Sequence, residues 1–387
     1  MKNIVVVTPF YPYPEKEGLK KDTNAVYYLT KNKSEDENII IVYYYLQTRE
    51  NAYLNLLRIL KTDSYHQCLY QDDRGYDVLL FEHPCLIPHA YHTINYFDDK
   101  YAKFLYQYLE DRKISIDCLY VHFPVRFTNF AKKIEASRKI AICHSFDVEN
   151  KRLAETKRNS KYYNALGFRS PQIRRVYYGR SDSDDYLCLS GVPDNNLDDD
   201  YQRISWKKDG ILRLCFAGKL VKNKNVQNVI LALSKIKSRI KFSFSIIGEG
   251  EESGNLKHLV TKLNLDSEIH FLGSMRRENV FSEFLQNDVF IMTSFKETLG
   301  LVYLEALSAG NLVIASKDRG IDGIFPENHG VAYVDPESID SIANAIERYF
   351  SMTSNEVDIL RLEIRQTIIH LSESAVSRSY LDMAYDR

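Results

Sequence analysis

The sequence has little of what marks several classes of protein. Its six cysteines are scattered, and no two of them form a Cys-x2-Cys pair. That pattern disfavours a zinc site or a disulfide framework, so we expect no bound metal and a reducing compartment. The formal net charge is −1, which gives no overall field for nucleic acid. We therefore expect no nucleic-acid partner.

Long apolar runs are also missing. The first run, Ile4 to Val7, is closed by Pro9 and is too short for a signal-peptide core, and no later run approaches transmembrane length. Apolar residues make up 44% of the chain and charged residues 27%, which is ordinary for a soluble globular protein. We expect a cytoplasmic protein whose 387 residues suffice for two domains with separate cores.

What the sequence does contain is a strand–loop–helix–strand pattern in its second half. The apolar run from Val289 to Met292 reads as a buried parallel strand, and Leu312 to Ala315 as a second one. Between them, Leu301 to Ala309 predicts a compact helix that Gly310 ends.

Two carboxylates eight positions apart accompany that helix. Glu297 lies in the loop before it, and Glu305 lies on it. The free N–H groups near Leu299 to Val302, at the helix N-terminus, suit a phosphate. A carboxylate next to a phosphate is expected where the carboxylate binds hydroxyl groups, such as those of sugars and riboses. The alternative is that both glutamates only favour the helix N-terminus electrostatically.

This stretch resembles a known signature. Glu-x7-Glu, followed by Ala-x-Ser-Ala-Gly and an apolar strand, is similar to the donor site of family four of the retaining GT-B glycosyltransferases, the glycosyl transferases group 1. The resemblance implies that Glu297 approaches the transferred sugar and that Glu305 holds the ribose of the nucleotide. The donor-binding residues it implies here are Glu297, Thr298, Leu299, Gly300, Leu301, Val302 and Glu305.

Further motifs of the same family follow three earlier strands. Gly218-Lys219-Leu-Val-Lys-Asn-Lys224 resembles the Gly-Arg-Leu-x-x-x-Lys-Gly segment whose two cations grip the diphosphate. Lys219 stands in place of the usual Arg, and Asn225 replaces the usual Gly, although Asn can adopt the left-handed conformation. The alternative is two solvated lysines, but helix N-termini repel cations unless an anion is bound. The turn at Gly248 and the backbone near Met275 resemble the family's later donor contacts, the second at the base.

The first half of the chain resembles the family less. His144-Ser-Phe-Asp147 is similar to a His-x-x-Asp segment whose histidine contacts the donor sugar near the reacting centre. We interpret His122, which also ends a predicted strand, as structural. In the first loop, Gly18 resembles a glycine that faces the donor phosphates, with a plain turn as the alternative.

The alternation of apolar runs and helical patterns predicts an α/β protein with the GT-B fold, two Rossmann-like domains facing each other across a cleft. We expect an acceptor-binding domain over 1–204 and a nucleotide-sugar-binding domain over 205–370. The helix within 371–387 is expected to cross back to the first domain. The strands expected in the first domain are Ile4 to Thr8, Ile39 to Tyr45, Val78 to Phe81, Cys118 to His122 and Ile140 to Cys143.

Charge is uneven near the domain boundary. Lys151 to Arg180 contains nine Lys or Arg residues and one acid, and Ser181 to Asp200 contains seven Asp and no basic residue. The basic stretch suggests an anion patch for a lipid-phosphate acceptor, or peripheral contact with the cytoplasmic face of the membrane. The alternative is a solvated face paired with the acidic segment. Asp184 and Asp185 read as acidic linker, not as metal ligands.

The resemblance implies retaining transfer from a nucleotide-diphosphate sugar, expected to be UDP-linked, to a glycan, lipid-linked or protein acceptor in bacterial cell-surface polysaccharide or glycoconjugate assembly. No metal or cofactor is implied beyond that donor. His144, Glu297 and Lys224 are the expected catalytic residues. Two alternatives stay open: a catalytically silent GT-B subunit that stabilises a partner glycosyltransferase, and a GT-B sugar-nucleotide epimerase.

Overall fold

The chain forms two compact units. The first comprises Met1–Arg169, Ile173–Ser190 and Val376–Arg387, and the second comprises Ser170–Gln172 and Gly191–Ala375. The computed structural model describes residues 1–12, 25–47, 67–84, 93, 95–179, 185–198 and 201–385.

The second unit takes over the chain at Gly191, earlier than the boundary expected after residue 204. Val192 is hydrogen-bonded to the last residues of this unit: the Glu373 N–H donates to the Val192 carbonyl at 2.7 Å. Arg203 donates from its guanidinium to backbone carbonyl groups of the same unit. The backbone pairing of Val192 thus attaches the stretch that begins at Gly191 to the second unit.

A mostly parallel sheet forms the centre of the first unit. Within the described residues its order is β3-β4-β2-β1-β5-β6-β7-β8, and its neighbours are parallel except for β3 and β4. The strands are β1 Lys2–Thr8, β2 Glu37–Gln47, β3 Gln67–Gln71, β4 Asp77–Pro84, β5 Cys118–His122, β6 Arg138–Cys143, β7 Ala165–Phe168 and β8 Tyr186–Leu187.

Helices cover both faces of this sheet, so its central strands are apolar on both sides. Alternate residues of β1 point to opposite faces: Ile4 and Val6 enter one buried cluster, and Val5 and Val7 the other. The helices that the structure describes in this unit are α1 Ala25–Leu29, α2 Asn95–Arg112, α3 Pro124–Lys133, α4 Ser145–Val148, α5 Lys151–Asn159 and α6 Pro171–Tyr178.

The second unit has an all-parallel sheet of order β11-β10-β9-β12-β13-β14. Its strands are β9 Leu212–Ala217, β10 Phe242–Ile247, β11 Ile269–Gly273, β12 Val289–Met292, β13 Leu312–Ser316 and β14 Val331–Val334. The helices after them are α7 Val226–Ile236, α8 Ser253–Lys262, α9 Arg277–Leu285, α10 Leu301–Ser308, α11 Ile339–Ser351, α12 Ser354–Ile368 and α13 Glu373–Asp382, whose last residues belong to the first unit.

Each sheet reverses its strand order at one point. In the second unit, β9 and β12 are neighbours: β10 and β11 follow on the side of β9, and β13 and β14 follow on the side of β12. In the first unit, the corresponding reversal lies between β1 and β5. The second unit has the 3-2-1-4-5-6 order of doubly wound sheets, in which ligands bind beyond the carboxyl ends of the strands at the reversal. The loops after these four strands are therefore the places to look for a site.

The start of α3, Pro124–Lys133, is set by the two residues Phe123 and Pro124. Phe123 adopts a left-handed conformation with φ 56°, and Pro124 opens the first turn, where its missing N–H costs nothing. In the described parts of the chain, no helix combines the length and apolarity needed to cross a membrane.

Candidate functional site

Three strand-end loops of the second unit meet backbone to backbone. The Gly218 N–H donates to the Ile247 carbonyl at 3.0 Å, and the Gly248 N–H donates to the Gly273 carbonyl at 2.7 Å. A Cβ at Gly248 would lie 1.9 Å from the carbonyl oxygen of Gly218, and one at Gly250 would lie 2.2 Å from that of Leu220. Only glycine permits this approach, so Gly248 and Gly250 let the loops after β9 and β10 pack backbone to backbone.

The loop after β9 carries the two predicted cations and leads into α7. Lys219 is exposed, and Lys224 is half-buried. Asn225 follows with φ 56°, so the prediction that asparagine takes the left-handed position is confirmed. Its side-chain amide donates to the carbonyl oxygens of Thr293 at 3.0 Å and Pro336 at 2.7 Å. Asn225 therefore ties the loop after β9 to the loop after β12, across the strand reversal.

Lys224 and Glu297 form an ion pair at the same place. Lys224 Nζ lies 2.6 Å from Glu297 Oε2, and the two side chains are 22% and 15% exposed. Two charges that are mostly shielded from water attract each other more strongly than an exposed pair does. Removing either charge leaves the other without its counter-ion. The structure thus brings together the cation and the carboxylate that the sequence assigned to diphosphate and sugar.

The remaining residues of the predicted phosphate stretch lead into α10. Thr298 and Val302 are half-buried, Leu299 is buried, and Leu301 is 38% exposed. Gly300 immediately precedes the helix with φ 76° and ψ 74°. The first N–H groups of a helix have no partner within it, so the start of α10 offers backbone donors next to Glu297.

Replacing Gly300 with alanine should destabilise the folded chain by about 1–3 kcal/mol. The backbone there is left-handed, and an added Cβ would lie 2.6 Å from the ring of Tyr303 and 3.1 Å from Glu297 Cγ. Urea unfolding of the full chain measures the change. Gly254→Ala in α8 is the matched control, because a Cβ there meets nothing within 4 Å and should not lower stability. Equal stability for both variants would contradict the strain at Gly300.

Glu305 has a partner that the sequence did not reveal. Arg277 Nε donates to Glu305 Oε1 at 2.7 Å, and Arg277 is 45% exposed whereas Glu305 is 13% exposed. Arg277 opens α9, two positions after the half-buried Met275 that the sequence assigned to the base. The family resemblance indicated the backbone near Met275. The signal for Arg277 in the sequence was its positive charge, two positions after Met275.

In the first unit, His144 lies at the carboxyl end of β6 and is half-buried. Its ring stacks on Phe123 with centroids 3.8 Å apart, and its Nε2 lies 3.0 Å from Nδ1 of His122. Burial, with the neighbouring His122 and Arg169, holds the pKa of His144 well below its usual value. The ring is therefore neutral near pH 7.

Asp147 explains the spacing of the His-x-x-Asp segment. Its Oδ2 accepts the His144 N–H at 2.8 Å, and its Oδ1 accepts the Val125 N–H at 3.1 Å. Burial raises the pKa of Asp147 to about 7, opposed by these backbone hydrogen bonds. The carboxyl group joins the ends of β5 and β6 and fixes the backbone of His144.

Other predicted residues lie elsewhere. Gly18 and Asp184 fall outside the described residues. In the basic stretch Arg169 is buried, and Arg174 donates to the Asp185 carbonyl at 3.1 Å. The exposed cations of α5 and the turn after it are Lys151, Lys157, Arg158 and Lys161. Among the residues that the structure describes, no cluster of three or more His, Cys, Asp or Glu side chains is placed to hold a metal ion.

Comparison with known proteins finds a family model that matches the part of the chain that contains the loops of the second unit. Residues 198–365 match the model of the glycosyl transferases group 1. The D-inositol 3-phosphate glycosyltransferase of Pseudarthrobacter chlorophenolicus is 30% identical over 158 residues, which are 39% of this chain and 37% of that protein. The similarity in sequence thus spans well under half the length of that curated relative.

Solved structures match the whole chain at lower identity. The lipopolysaccharide outer core galactosyltransferase WaaB in its apo form has a TM-score of 0.71 at 15% identity, over 100% of this chain and 99% of that one. A structure described as trehalose-6-phosphate from E. coli bound with UDP-2-fluoro glucose has a TM-score of 0.67 at 12% identity, over 100% and 99% of the two chains. The chain has the α/β GT-B fold with two Rossmann-like domains, as its sequence predicted.

Proposed function

We propose that the chain is a retaining glycosyltransferase, because residues 198–365 match the model of the glycosyl transferases group 1. Its donor is a nucleotide-diphosphate sugar, and its acceptor is a glycan, a lipid-linked sugar or a protein. The observation that carries the proposal is the ion pair of Lys224 and Glu297, which joins the loops after β9 and β12 beside the start of α10.

The diphosphate is bound by positive charge and backbone donors of the second unit. Lys219 and Lys224 follow β9, and the free N–H groups of α10 begin at Leu301. As the bond to the sugar breaks, negative charge grows on the leaving diphosphate, and these groups stabilise it without solvent reorganisation. Bound phosphate oxygens compete with Glu297 for Lys224, which frees the Glu297 carboxylate for a sugar hydroxyl group.

The nucleotide lies along the remaining loops of the second unit. Glu305 accepts hydrogen bonds from ribose hydroxyl groups, and the backbone near Met275 contacts the base. Glu305 is only 13% exposed and fixed by Arg277, which supports a positioned acceptor of hydrogen bonds. UDP is the first nucleotide to test, because the structurally similar protein from E. coli was solved with a UDP-sugar analogue.

The first unit contributes the acceptor side. His144, at the carboxyl end of β6, is the proposed contact of this unit with the transferred sugar. Gly18 lies outside the described residues and stays a predicted donor contact. The exposed cations on α5 suit an acceptor with a lipid phosphate, at the cytoplasmic face of the membrane. Assembly of bacterial cell-surface polysaccharide or glycoconjugate is the proposed setting, supported by the likeness to a lipopolysaccharide galactosyltransferase.

The test begins with the donor. Purified full-length protein is incubated with a panel of nucleotide-diphosphate sugars, and the retained compound is identified by mass spectrometry. Calorimetry with the matching nucleoside diphosphate then compares wild type with Lys235→Ala, whose lysine is ion-paired with Asp340 outside the site and should have no effect. Once an acceptor is found, NMR of the product reports whether the anomeric configuration is retained. Absence of any nucleotide binding, or an inverted product, overturns the proposal.

Transfer should continue undiminished in excess chelator. The positive charge that stabilises the diphosphate comes from Lys219, Lys224 and the start of α10, so the reaction has no requirement for a divalent cation. The measurement is the initial rate with and without EDTA after removal of free metal. A rate that falls on chelation and returns with magnesium or manganese would contradict this account.

A further inference from the structure

Arg277 holds Glu305 through a single carboxylate oxygen. Its Nε donates to Glu305 Oε1 at 2.7 Å, and its Nη2 lies 2.6 Å from the same oxygen. A carboxylate oxygen has two lone pairs, so these two donors occupy Oε1 fully. Both residues belong to the second unit, with Arg277 at the start of α9 and Glu305 on α10.

The other oxygen of the same carboxylate is unused. Within the part of the chain that the structure describes, Glu305 Oε2 has no hydrogen-bond partner, and it lies open to solvent. The side chain as a whole is only 13% exposed. Glu305 therefore presents one free oxygen, in a direction that the guanidinium group of Arg277 fixes.

The stability of α9 does not account for the position of Arg277. Arg277 is the first residue of that helix, where the positive end of the helix dipole disfavours a cation. Its side chain is 45% exposed, and an ion pair with so exposed a partner contributes little to folding. A ligand that binds at Glu305 gives the pair a reason that folding does not.

Charge provides a second argument. A carboxylate without a counter-ion would repel the diphosphate of the proposed donor. Arg277 supplies that counter-ion to Glu305, as Lys224 does to Glu297, whose Oε2 lies 2.6 Å from Lys224 Nζ. Each glutamate of the proposed donor site therefore has its own cation and keeps one oxygen outside the ion pair.

We propose that Arg277 is a positioning residue that sets the specificity of this site for ribonucleotides. By fixing Glu305 through Oε1, it directs Oε2 to accept a hydrogen bond from a ribose hydroxyl group. A nucleotide without these hydroxyl groups offers Oε2 no donor and leaves it unpaired in the filled site, which weakens binding. The contact between Glu305 and the ribose rests on the proposed function, and the discrimination by Arg277 is the step beyond it.

The experiment is calorimetry on the full chain with UDP and with 2′,3′-dideoxyuridine diphosphate, or with the same two diphosphates of whichever base the donor panel selects. Wild type should bind the ribonucleotide about ten- to a hundredfold more tightly, as expected for a hydrogen bond to a charged group. In Arg277→Ala this ratio should fall about fivefold, because the carboxylate is no longer held in one orientation. Arg277→Lys keeps the charge but not the two-donor fork, and its ratio should lie between the two. Equal affinities in wild type, or an unchanged ratio in Arg277→Ala, overturn the proposal.

Two controls separate positioning from a general loss of charge or fold. Arg239 Nε lies 2.6 Å from Glu347 Oε1, and Arg239 is 53% exposed, much like Arg277. Arg239→Ala should leave the ratio unchanged, with circular dichroism to confirm folding of each variant. Because Arg277 acts through Glu305, Arg277→Ala should not lower the ratio further in Glu305→Gln protein, and a further fall of the same size would overturn the positioning role.

The same titrations distinguish this proposal from the one on which it rests. A wild-type chain that binds no nucleoside diphosphate overturns the proposed function, and the role of Arg277 with it. A wild-type chain that binds the ribonucleotide, with a ratio that Arg277→Ala does not change, overturns the role of Arg277 alone.

Discussion

Replacing Glu297 with glutamine should lower kcat for glycosyl transfer about a hundred- to a thousand-fold and change the donor KM little. The substitution keeps the shape of the side chain and removes its charge. As the bond to the diphosphate breaks, positive character grows on the sugar, and an interaction that strengthens only then lowers the barrier. The side chain is well placed for this, because it is 15% exposed and held by Lys224.

Two further carboxylates serve as controls for this result. Glu305→Gln should chiefly raise the donor KM, because a contact with the ribose is the same before and during the reaction. Glu347 lies on α11, away from the site, and its Oε1 is 2.6 Å from Arg239 Nε. Glu347→Gln should therefore leave both kcat and the donor KM unchanged. The measurement is steady-state kinetics with circular dichroism on each variant. A folded Glu297→Gln protein with full kcat would contradict a catalytic role for Glu297.

The donor loops could be predicted because their sequence signals are local. Strand β12 is a buried apolar run and matches its predicted bounds, Val289 to Met292. The helix after it ends within one residue of its predicted end, and Gly310 follows with φ 77°. Buried parallel strands read as apolar runs, and a left-handed glycine ends a helix, so neither signal needs tertiary information.

Short and irregular strands were harder to predict. Strand β7, Ala165–Phe168, was missed because glycine interrupts its apolar pattern. A Cβ at Gly167 would lie 2.6 Å from Cys188 Sγ, so the glycine is required by packing against the residue that follows β8. Strand β3, Gln67–Gln71, is the antiparallel edge next to β4, and its mixed composition gives little strand signal.

Partners at the site could not be predicted, because they come from distant parts of the chain. Lys224 and Glu297 were each singled out, but their contact spans 73 positions. Tyr380 meets His122 across 258 positions, and nothing in the local sequence marks that tyrosine. His122 was interpreted as structural from the sequence. Its full burial between two polar partners gives that interpretation a physical reason.

Replacing Lys224 with alanine should weaken nucleoside diphosphate binding about ten- to a hundredfold, in line with about 1.5–3 kcal/mol for a hydrogen bond to a charged group. Two effects add. The variant loses an ammonium donor to the phosphate, and it leaves Glu297 unpaired beside an incoming anion, since the pair is 2.6 Å apart. Lys219→Arg should bind normally, because Lys219 is exposed and arginine keeps the charge.

The double variant separates these two effects. If repulsion from the unpaired carboxylate contributes, Lys224→Ala with Glu297→Gln should bind the nucleoside diphosphate more tightly than Lys224→Ala alone, although it has lost both groups. Calorimetry on the four proteins of this cycle measures the coupling, with Lys235→Ala as the lysine control. Strictly additive losses would mean that Glu297 lies too far from the bound phosphate to repel it. Full affinity in Lys224→Ala would mean that the loop after β9 does not bind the diphosphate. A recovery in the double variant would instead show that one lysine serves two anions in turn, the carboxylate in the empty site and the phosphate in the filled one.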